Sequence, residues 1–422
     1  MNRFLDIRSY FHRVGFAFRA LKNRNFRLFF FGQLVSLMGT WIQNIALGWL
    51  VYRMTDSAVW LGIIGFAGQI PALFLTPFAG VYADRLDRRR VLLVAQVVPM
   101  LLALTMGTLI LTNSVEVWHV VTVAVLNGVV LAFDNPFRHA FLIDMVGDKE
   151  LLQNSVALNS TLFNSARFIG PMVGGFLIAW VGEGICFMIN GVSFLAVVFS
   201  LLAMKINPIN RKGEHGSVLS DMLEGAKYAF SFKPIRYLLM LVITTGFLGL
   251  PFQVFLPVFA RDILGGDSQL LGFLTGALGA GALTGAIYLA SRKSVATLPK
   301  LIFGSAIIFA LGLMSMSLST NTALSLVLLY ITGFGMIVLY ASTNTLLQTI
   351  VDDGKRGRIM SLYGMSFLGV TPLGSLLLGT ISGSIGVQIT LLLSSMVSLG
   401  AVVLYSRRIK VINLAVSSYS QN

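Results

Sequence analysis

Polar residues in this chain do not alternate with apolar ones but gather between long apolar runs. Runs of about 20 residues, enough for a helix to cross roughly 30 Å of hydrocarbon, recur at about 26–51, 58–80, 91–112, 117–139, 155–180, 184–204, 236–258, 269–290, 299–318, 323–347, 359–381 and 385–406. Each is apolar on every face, unlike the two-residue alternation of a membrane β-strand, so twelve helical spans are predicted. Composition agrees: 56% of residues are hydrophobic, 11% are charged and the mean hydropathy is +0.81. A chain this apolar needs lipid as solvent, because a water-facing globule cannot hide so much apolar surface. The expected class is an all-α polytopic membrane protein.

The longest polar stretch between spans, at about 205–235, divides them six and six. The expected organisation is therefore an N-terminal interfacial helix (1–25), a first six-helix bundle (26–204), a cytoplasmic linker (205–235), a second bundle (236–406) and a cytoplasmic tail (407–422). Before the first span, Phe4, Ile7, Phe11, Val14, Phe18 and Leu21 recur at helical spacing among arginines, which reads as a surface-lying helix rather than a cleavable leader. In the linker, Leu219, Met222, Leu223, Ala226, Ala229 and Phe230 form an apolar stripe opposite Asp221, Glu224 and Lys227, predicting a second such helix.

The halves correspond weakly in sequence. Asn25–Leu28 opens the first span and Pro234–Tyr237 the seventh, 209 residues later, while Pro171 and Pro372 coincide at an offset of 201. Spans two, five, eight and eleven each carry several glycines, among them Gly62, Gly175, Gly272 and Gly379. Small residues let helices approach closely, and two membrane-embedded repeats usually frame a transport path near the midplane.

The net charge of +14 becomes a topology signal once it is placed along the spans. With a cytoplasmic N-terminus, 28 of the 31 Lys and Arg lie on the cytoplasmic side, Arg53 and Arg261 lie outside, and Arg167 lies within a span. The excess favours anionic lipid headgroups as partners, not nucleic acid. Cys186, the one cysteine, falls inside an apolar run, and His12, His119, His139 and His215 form no metal cluster. His139 and Asp144 match an acyltransferase-like spacing only weakly, and a Gly-x-x-x-x-Gly-Lys-Ser/Thr phosphate loop is absent, so neither an enzyme nor an ATP-driven pump is expected and no cofactor is implied.

The stretch "GVYADRLDRRRVLL" (Gly80–Leu93) is dense in charge. Gly80, Asp84, Arg85, Arg88 and Arg89 fill positions of the signature Gly-x-x-x-Asp-Arg-x-Gly-Arg-Arg, with Asp87 in place of its second glycine, and so resemble the major facilitator superfamily. "DNPFRHAFLIDMV" (Asp134–Val146), "NSARFIGPMVGG" (Asn164–Gly175), "EGAKYAFSFKPIR" (Glu224–Arg236) and "GRIMSLY" (Gly357–Tyr363) narrow the resemblance to the branch holding enterobactin-type siderophore exporters and macrolide efflux pumps. That resemblance implies two pseudo-symmetric six-helix bundles in a bacterial inner membrane, export of a siderophore-like or drug-like molecule by proton antiport, and a monomer. An importer of siderophores, or a transporter of lysophospholipid or another lipid, would share the fold. Gly170, Pro171, Gly174 and Gly175 resemble a motif that the superfamily associates with antiport. The resemblance also implies that Asp84 faces the start of span eleven near Arg356 and Arg358, a cytoplasmic latch closed in the outward-open state. Two positions depart from the pattern: the second half keeps only Arg292 and Lys293 of the loop signature, and span one has Gln33, Gln43 and Asn44 but no carboxylate.

Charge inside the membrane marks a candidate site. Arg167 lies about 18 Å into span five by helical rise, near the bilayer centre, where a lipid-facing guanidinium costs several kcal/mol. Asp134 and Arg138 form an i,i+4 pair in span four, and Asp134 is expected either to carry a proton or to pair statically, with Arg167 binding an anionic group or pairing alternately with Asp134. Gln33, Trp41, Gln43, Asn44, Phe252, Gln253, Asn344 and Gln348 are expected to line the cavity, and Pro251 and Pro257 to kink span seven and free carbonyls towards it.

Overall fold

A computed structural model of the chain describes residues 19–83, 85–147, 149–205, 218–292 and 294–419. Most of the predicted N-terminal interfacial helix (1–18), the loop residue Asp84, Lys293 and residues 206–217 of the linker lie outside that set. Among the described residues, eleven helices are long and apolar enough to cross a membrane. One of them, Leu151–Ala203, has 53 residues and would be about 80 Å long if straight, more than twice the hydrocarbon thickness. It breaks at Gly182, whose φ of 77° suits a residue without a Cβ, so the chain crosses twelve times.

The spans are α1 (Arg24–Thr55), α2 (Ala58–Ala67 continuing as Ile70–Tyr82), α3 (Arg88–Leu111), α4 (Val117–Val146), α5 and α6 (149–181 and 183–203), α7 (Lys233–Ile263), α8 (Ser268–Ala290), α9 (Leu298–Leu318), α10 (Thr322–Ile350), α11 (Lys355–Ile385) and α12 (Val387–Ser406). Several start where a side chain satisfies an orphan amide: Asn23 accepts from Phe26 N, Asp87 from Arg90 N, Asp267 from Gln269 N and Leu270 N, and Asn321 from Leu324 N. The linker contains the expected amphipathic helix, Val218–Ser231, and Ile409–Tyr419 forms a short tail helix.

Packing repeats with a period of six helices. In the first half α1 lies against α5 and α6, α2 against α4, and α3 against α4 and α6. In the second half α7 lies against α11 and α12, α8 against α10, and α9 against α10 and α12. The halves meet chiefly through α5 with α8 and α2 with α11, contacts that exchange under the same correspondence. Small residues make these two crossings alike. A Cβ on Gly272 would lie 2.8 Å from Pro171 O and 3.0 Å from Gly175 Cα, and one on Gly62 would lie 2.5 Å from Ser375 O and 2.8 Å from Gly379 Cα. Only glycine allows backbones this close.

Span seven departs from a regular helix. Its α-helix passes into a π-turn at Thr245–Gly249, a 3-10 stretch at Leu250–Phe255 and a second π-turn at Phe259–Ile263, around Pro251 and Pro257. The Gly246 carbonyl accepts a hydrogen bond from the Thr371 hydroxyl of α11 at 3.1 Å. The irregular backbone thus joins two helices of the second bundle.

Candidate functional site

The two bundles are closed at the end opposite the terminal side, where α1 starts and α12 ends. There the glycine crossings sit, Ser268 Oγ donates to Gly175 O at 3.1 Å, and α1 meets α7 through two polar contacts. Arg261 Nη1 bonds Asp56 Oδ1 at 2.5 Å, and the Tyr52 hydroxyl donates to Asp262. Beyond the contact of Leu73 with Gly369, the last turns of α2 and the first turns of α11 (355–364) part, and a Cβ on Gly80, Gly357 or Gly364 would meet nothing within 4 Å. A chamber between the bundles therefore opens towards the termini. Tyr52, Asp56, Arg261 and Asp262 are absent from the sequence-derived site, yet the 209-residue offset between the opening motifs pairs Arg53 with Asp262 and Tyr52 with Arg261, placing both groups at equivalent helix ends.

Arg167 is on the chamber side of α5. Ile169, Phe176 and Trp180, all exposed, project from the opposite side of that helix and form its lipid face. The Arg167 guanidinium lies over the Trp41 ring of α1, 5.9 Å from its centroid, and Phe163 meets the same ring edge-on at 6.4 Å. Arg167 has no carboxylate partner among the described residues. The alternate pairing with Asp134 does not occur in this conformation, because Asp134 is already held: its carboxylate pairs with Arg138 and accepts from Gln96 Nε2 of α3 at 2.9 Å. Gln33 completes this cluster by accepting from Arg138 Nη1 at 3.2 Å, so it belongs to the buried charge network and not to the chamber wall. One buried donor, Arg138 Nε, has no partner among the described residues.

The other amides divide. Gln43 accepts from Asn190 Nδ2 of α6 at 2.6 Å, an interhelical bond within the first bundle. Asn44 is exposed and lies one turn before Gly48, where a Cβ would meet Pro257 of α7 at 3.4 Å, so it is on the face of α1 turned to the second bundle. In α10, Gln348 donates to Asn344 one turn earlier; Gln348 is exposed, and its backbone carbonyl accepts from Arg356 Nε at 3.0 Å. Gln253 is half-buried beside Met336. Phe252 does not line the cavity: it is 1% exposed and packs edge-on to Phe309 in the core of the second bundle, because the 3-10 segment turns it inward.

Most described residues of the charged loop act within their own bundle in this conformation. Arg88 is buried; its guanidinium bonds Ala83 O at 2.7 Å, Ala140 O at 3.1 Å and Asp144 Oδ2 at 2.9 Å, tying the ends of α2 and α4 to α3. Arg89 donates to Leu201 O and Leu202 O and so caps the C-terminus of α6, where carbonyls are otherwise unpaired. Arg85 is exposed, and Arg358 pairs with Glu224 of the linker helix at 2.9 Å. The antiport-like motif packs on both neighbours of α5: Gly170 and Gly174 lie against Trp41 and Ile42 of α1, while the Pro171 carbonyl and Gly175 lie against Gly272 of α8.

Two six-helix repeats that close on one side of a membrane around a chamber with an embedded cation define a secondary-carrier architecture. Over residues 16–421 the chain matches the family described as transmembrane secretion effector, and it belongs to that branch of the major facilitator superfamily. It is therefore a multi-pass membrane transporter. It is 25% identical over 372 residues to the staphyloferrin A transporter of Staphylococcus aureus, covering 86% of this chain and 90% of the relative. It is 26% identical over 398 residues to the multidrug efflux pump Tap of Mycolicibacterium fortuitum, covering 92% and 97%. Among solved structures, the nucleoside transporter NupG has the same fold, with a TM-score of 0.71 at 13% identity over 92% of this chain and 99% of that one.

Proposed function

We propose that this chain exports a small amphipathic molecule carrying an anionic group, siderophore-like or drug-like, across a bacterial inner membrane in exchange for protons. Its termini are cytoplasmic, so the chamber described above opens to the cytoplasm, and the chain divides into an interfacial helix, two six-helix bundles joined by a cytoplasmic linker, and a tail. The observation that carries the reading is Arg167, set over Trp41 beside Phe163 with no carboxylate partner among the described residues. A guanidinium at mid-membrane without an acid is unfavourable by several kcal/mol unless water or an anion meets it, and a ligand with an acidic and an aromatic or apolar part satisfies both halves of this wall. The staphyloferrin A and multidrug relatives support a cargo of that kind.

Proton coupling falls to the Asp134–Arg138–Gln33–Gln96 network, which links α1, α3 and α4. Protonating Asp134 removes the charge that holds Arg138 and frees the guanidinium for a second arrangement, the local change that a coupled rocking of helices requires. Asp84, with Arg85, Arg356 and Arg358, would latch the cytoplasmic side once the chamber turns outward.

The cargo is identified by comparing metabolites of cells with and without the gene: a siderophore-like or drug-like compound should accumulate inside the deletant. Uptake of that compound into inside-out vesicles then tests the roles. Arg167→Gln should weaken cargo binding by ten-fold or more, and Asp134→Asn should bind cargo yet lose proton-driven accumulation. Wild-type accumulation by Asp134→Asn would remove that carboxylate from coupling, and unchanged affinity in Arg167→Gln would remove the anion from the cargo.

A further inference from the structure

A second site lies outside the chamber. The linker helix, α7, α11 and α2 enclose an apolar cleft of about 250 Å³ that is independent of the cargo reading. Phe230 of the linker helix, Met240 of α7, Met365 and Leu373 of α11 and Leu73 of α2 line it. Phe230, Met240 and Leu373 remain exposed, so the cleft is open on its side rather than sealed in the protein. It runs down α7 from Arg236 to Ile243, a length of about 10 Å by helical rise, which matches the upper part of an acyl chain and not a whole cargo molecule.

The chemistry changes at its head. Arg236 is part of the lining, and its guanidinium lies over the Tyr237 ring at 5.4 Å from the centroid, while Arg408 lies over the same ring at 5.5 Å. Neither arginine has a carboxylate partner among the described residues, in contrast to Arg358, which pairs with Glu224 on the neighbouring helix end. Lys233, one turn before Tyr237, and Arg407 are exposed beside them. An apolar cleft headed by Arg236, with a second cation on the same aromatic ring at the start of α7, is complementary to one kind of molecule.

The geometry points to a resident anionic phospholipid, its phosphate between Arg236 and Arg408 and one acyl chain in the cleft. Leu73 comes from the first bundle and closes on Gly369 of α11 at the floor of the cleft. The site is thus built by both bundles, and a lipid held in it stabilises the arrangement in which α2 and α11 meet there, while that arrangement in turn favours the lipid.

The full chain, purified from nanodiscs of equal parts phosphatidylcholine and phosphatidylglycerol, is analysed by native mass spectrometry for retained lipid. Wild type should keep phosphatidylglycerol in preference to phosphatidylcholine. Arg236→Gln with Arg408→Gln should lower that retention roughly thirty-fold, from the attraction of two cations for an anionic headgroup. Arg236→Lys with Arg408→Lys keeps the charge and should retain most of the lipid, while Phe230→Trp, which fills the slot, should expel it without altering the cations. Equal retention of both lipids by wild type, or unchanged retention in the double Gln variant eluting as a folded monodisperse protein, would overturn the proposal. Loss in Phe230→Trp of neither lipid would equally overturn the placement of the chain.

Discussion

Adding one methyl group at Gly62 should turn the carrier towards its opposite conformation. A Cβ at this position lies 2.5 Å from Ser375 O and 2.8 Å from Gly379 Cα, both backbone atoms that no rotamer change can move. Ordinary contact begins near 3.4 Å, so α2 and α11 would have to part by roughly 0.6–0.9 Å, an overpacking of about 1–3 kcal/mol. Alanine also improves the intrinsic stability of the helix by roughly 0.5–1 kcal/mol, but it does so in both conformations and cancels from their difference. A differential near 2 kcal/mol corresponds to about a thirty-fold change in the ratio of the two states. The readout is the rate at which a membrane-impermeant maleimide, added to intact cells, reaches the thiol introduced by Asn44→Cys in a Cys186→Ala background. Asn44 is exposed, and replacing Cys186, the one cysteine of the chain, leaves the introduced thiol as the sole target. Labelling should rise by ten-fold or more in Gly62→Ala. Gly304→Ala, where a Cβ would meet nothing within 4 Å, should leave it unchanged. Equal rates in wild type and Gly62→Ala, or an equal rise in Gly304→Ala, would refute the assignment of this crossing as the closed side.

Three further outcomes follow from the same geometry. Arg261→Gln removes an exposed pair with Asp56, a contact of about 0.5–1 kcal/mol, so the labelling should rise only two- to five-fold; exchanging the charges with Asp56→Arg and Arg261→Asp should restore it. Arg88→Ala removes the buried guanidinium that bonds Ala83 O, Ala140 O and Asp144, which should lower the thermal unfolding midpoint by the equivalent of about 3–5 kcal/mol, and Arg88→Lys should recover only part because an ammonium cannot span the two carbonyls and the carboxylate together. Phe252→Ala should destabilise by about 3–5 kcal/mol while leaving the KM for cargo unchanged, measured by fluorescence-detected unfolding and vesicle uptake; a selective loss of affinity would return Phe252 to the chamber wall.

The twelve crossings were legible because each apolar run is close to the thickness of a bilayer, and the short gap between α5 and α6, which holds Glu183, also carries a glycine that can take φ of 77°. The depth of Arg167 was legible for the same reason. Its neighbour was not: Trp41 meets it only because Gly170 lets α1 and α5 approach, and the rotation of one helix against another is set by such contacts rather than by period. Asp134 shows the same limit, since its local partner Arg138 follows from i,i+4 spacing while Gln96 and Gln33 arrive from other helices. Phe252 was misplaced because a 3.6-residue period does not survive a π-turn followed by a 3-10 stretch.

The repeat also explains why polar contacts gather at the two ends of the bundle interface. A carrier must keep its two conformations within a few kcal/mol, or one would never be visited. In the conformation described, the far end is held by Arg261 with Asp56, Tyr52 with Asp262, and two glycine crossings. The glycine crossings are related by the exchange of halves, so any rocking that opens one opens the other, and the dispersion lost is large and simultaneous. Something on the terminal side must offset it in the opposite state. Groups available there include Arg85, exposed at the end of α2, and Arg356 and Arg358 at the start of α11, whose present bonds include those to the Gln348 carbonyl and to Glu224 at a wet boundary. Contacts of that kind are worth about 1 kcal/mol each, so exchanging them for a latch across the bundles is inexpensive, whereas rearranging the buried Arg88–Asp144 pair would not be. With the proposed latch the loop would divide its work: Arg88 and Arg89, bonded within the first bundle, would keep their partners, and the more exposed cations would change theirs.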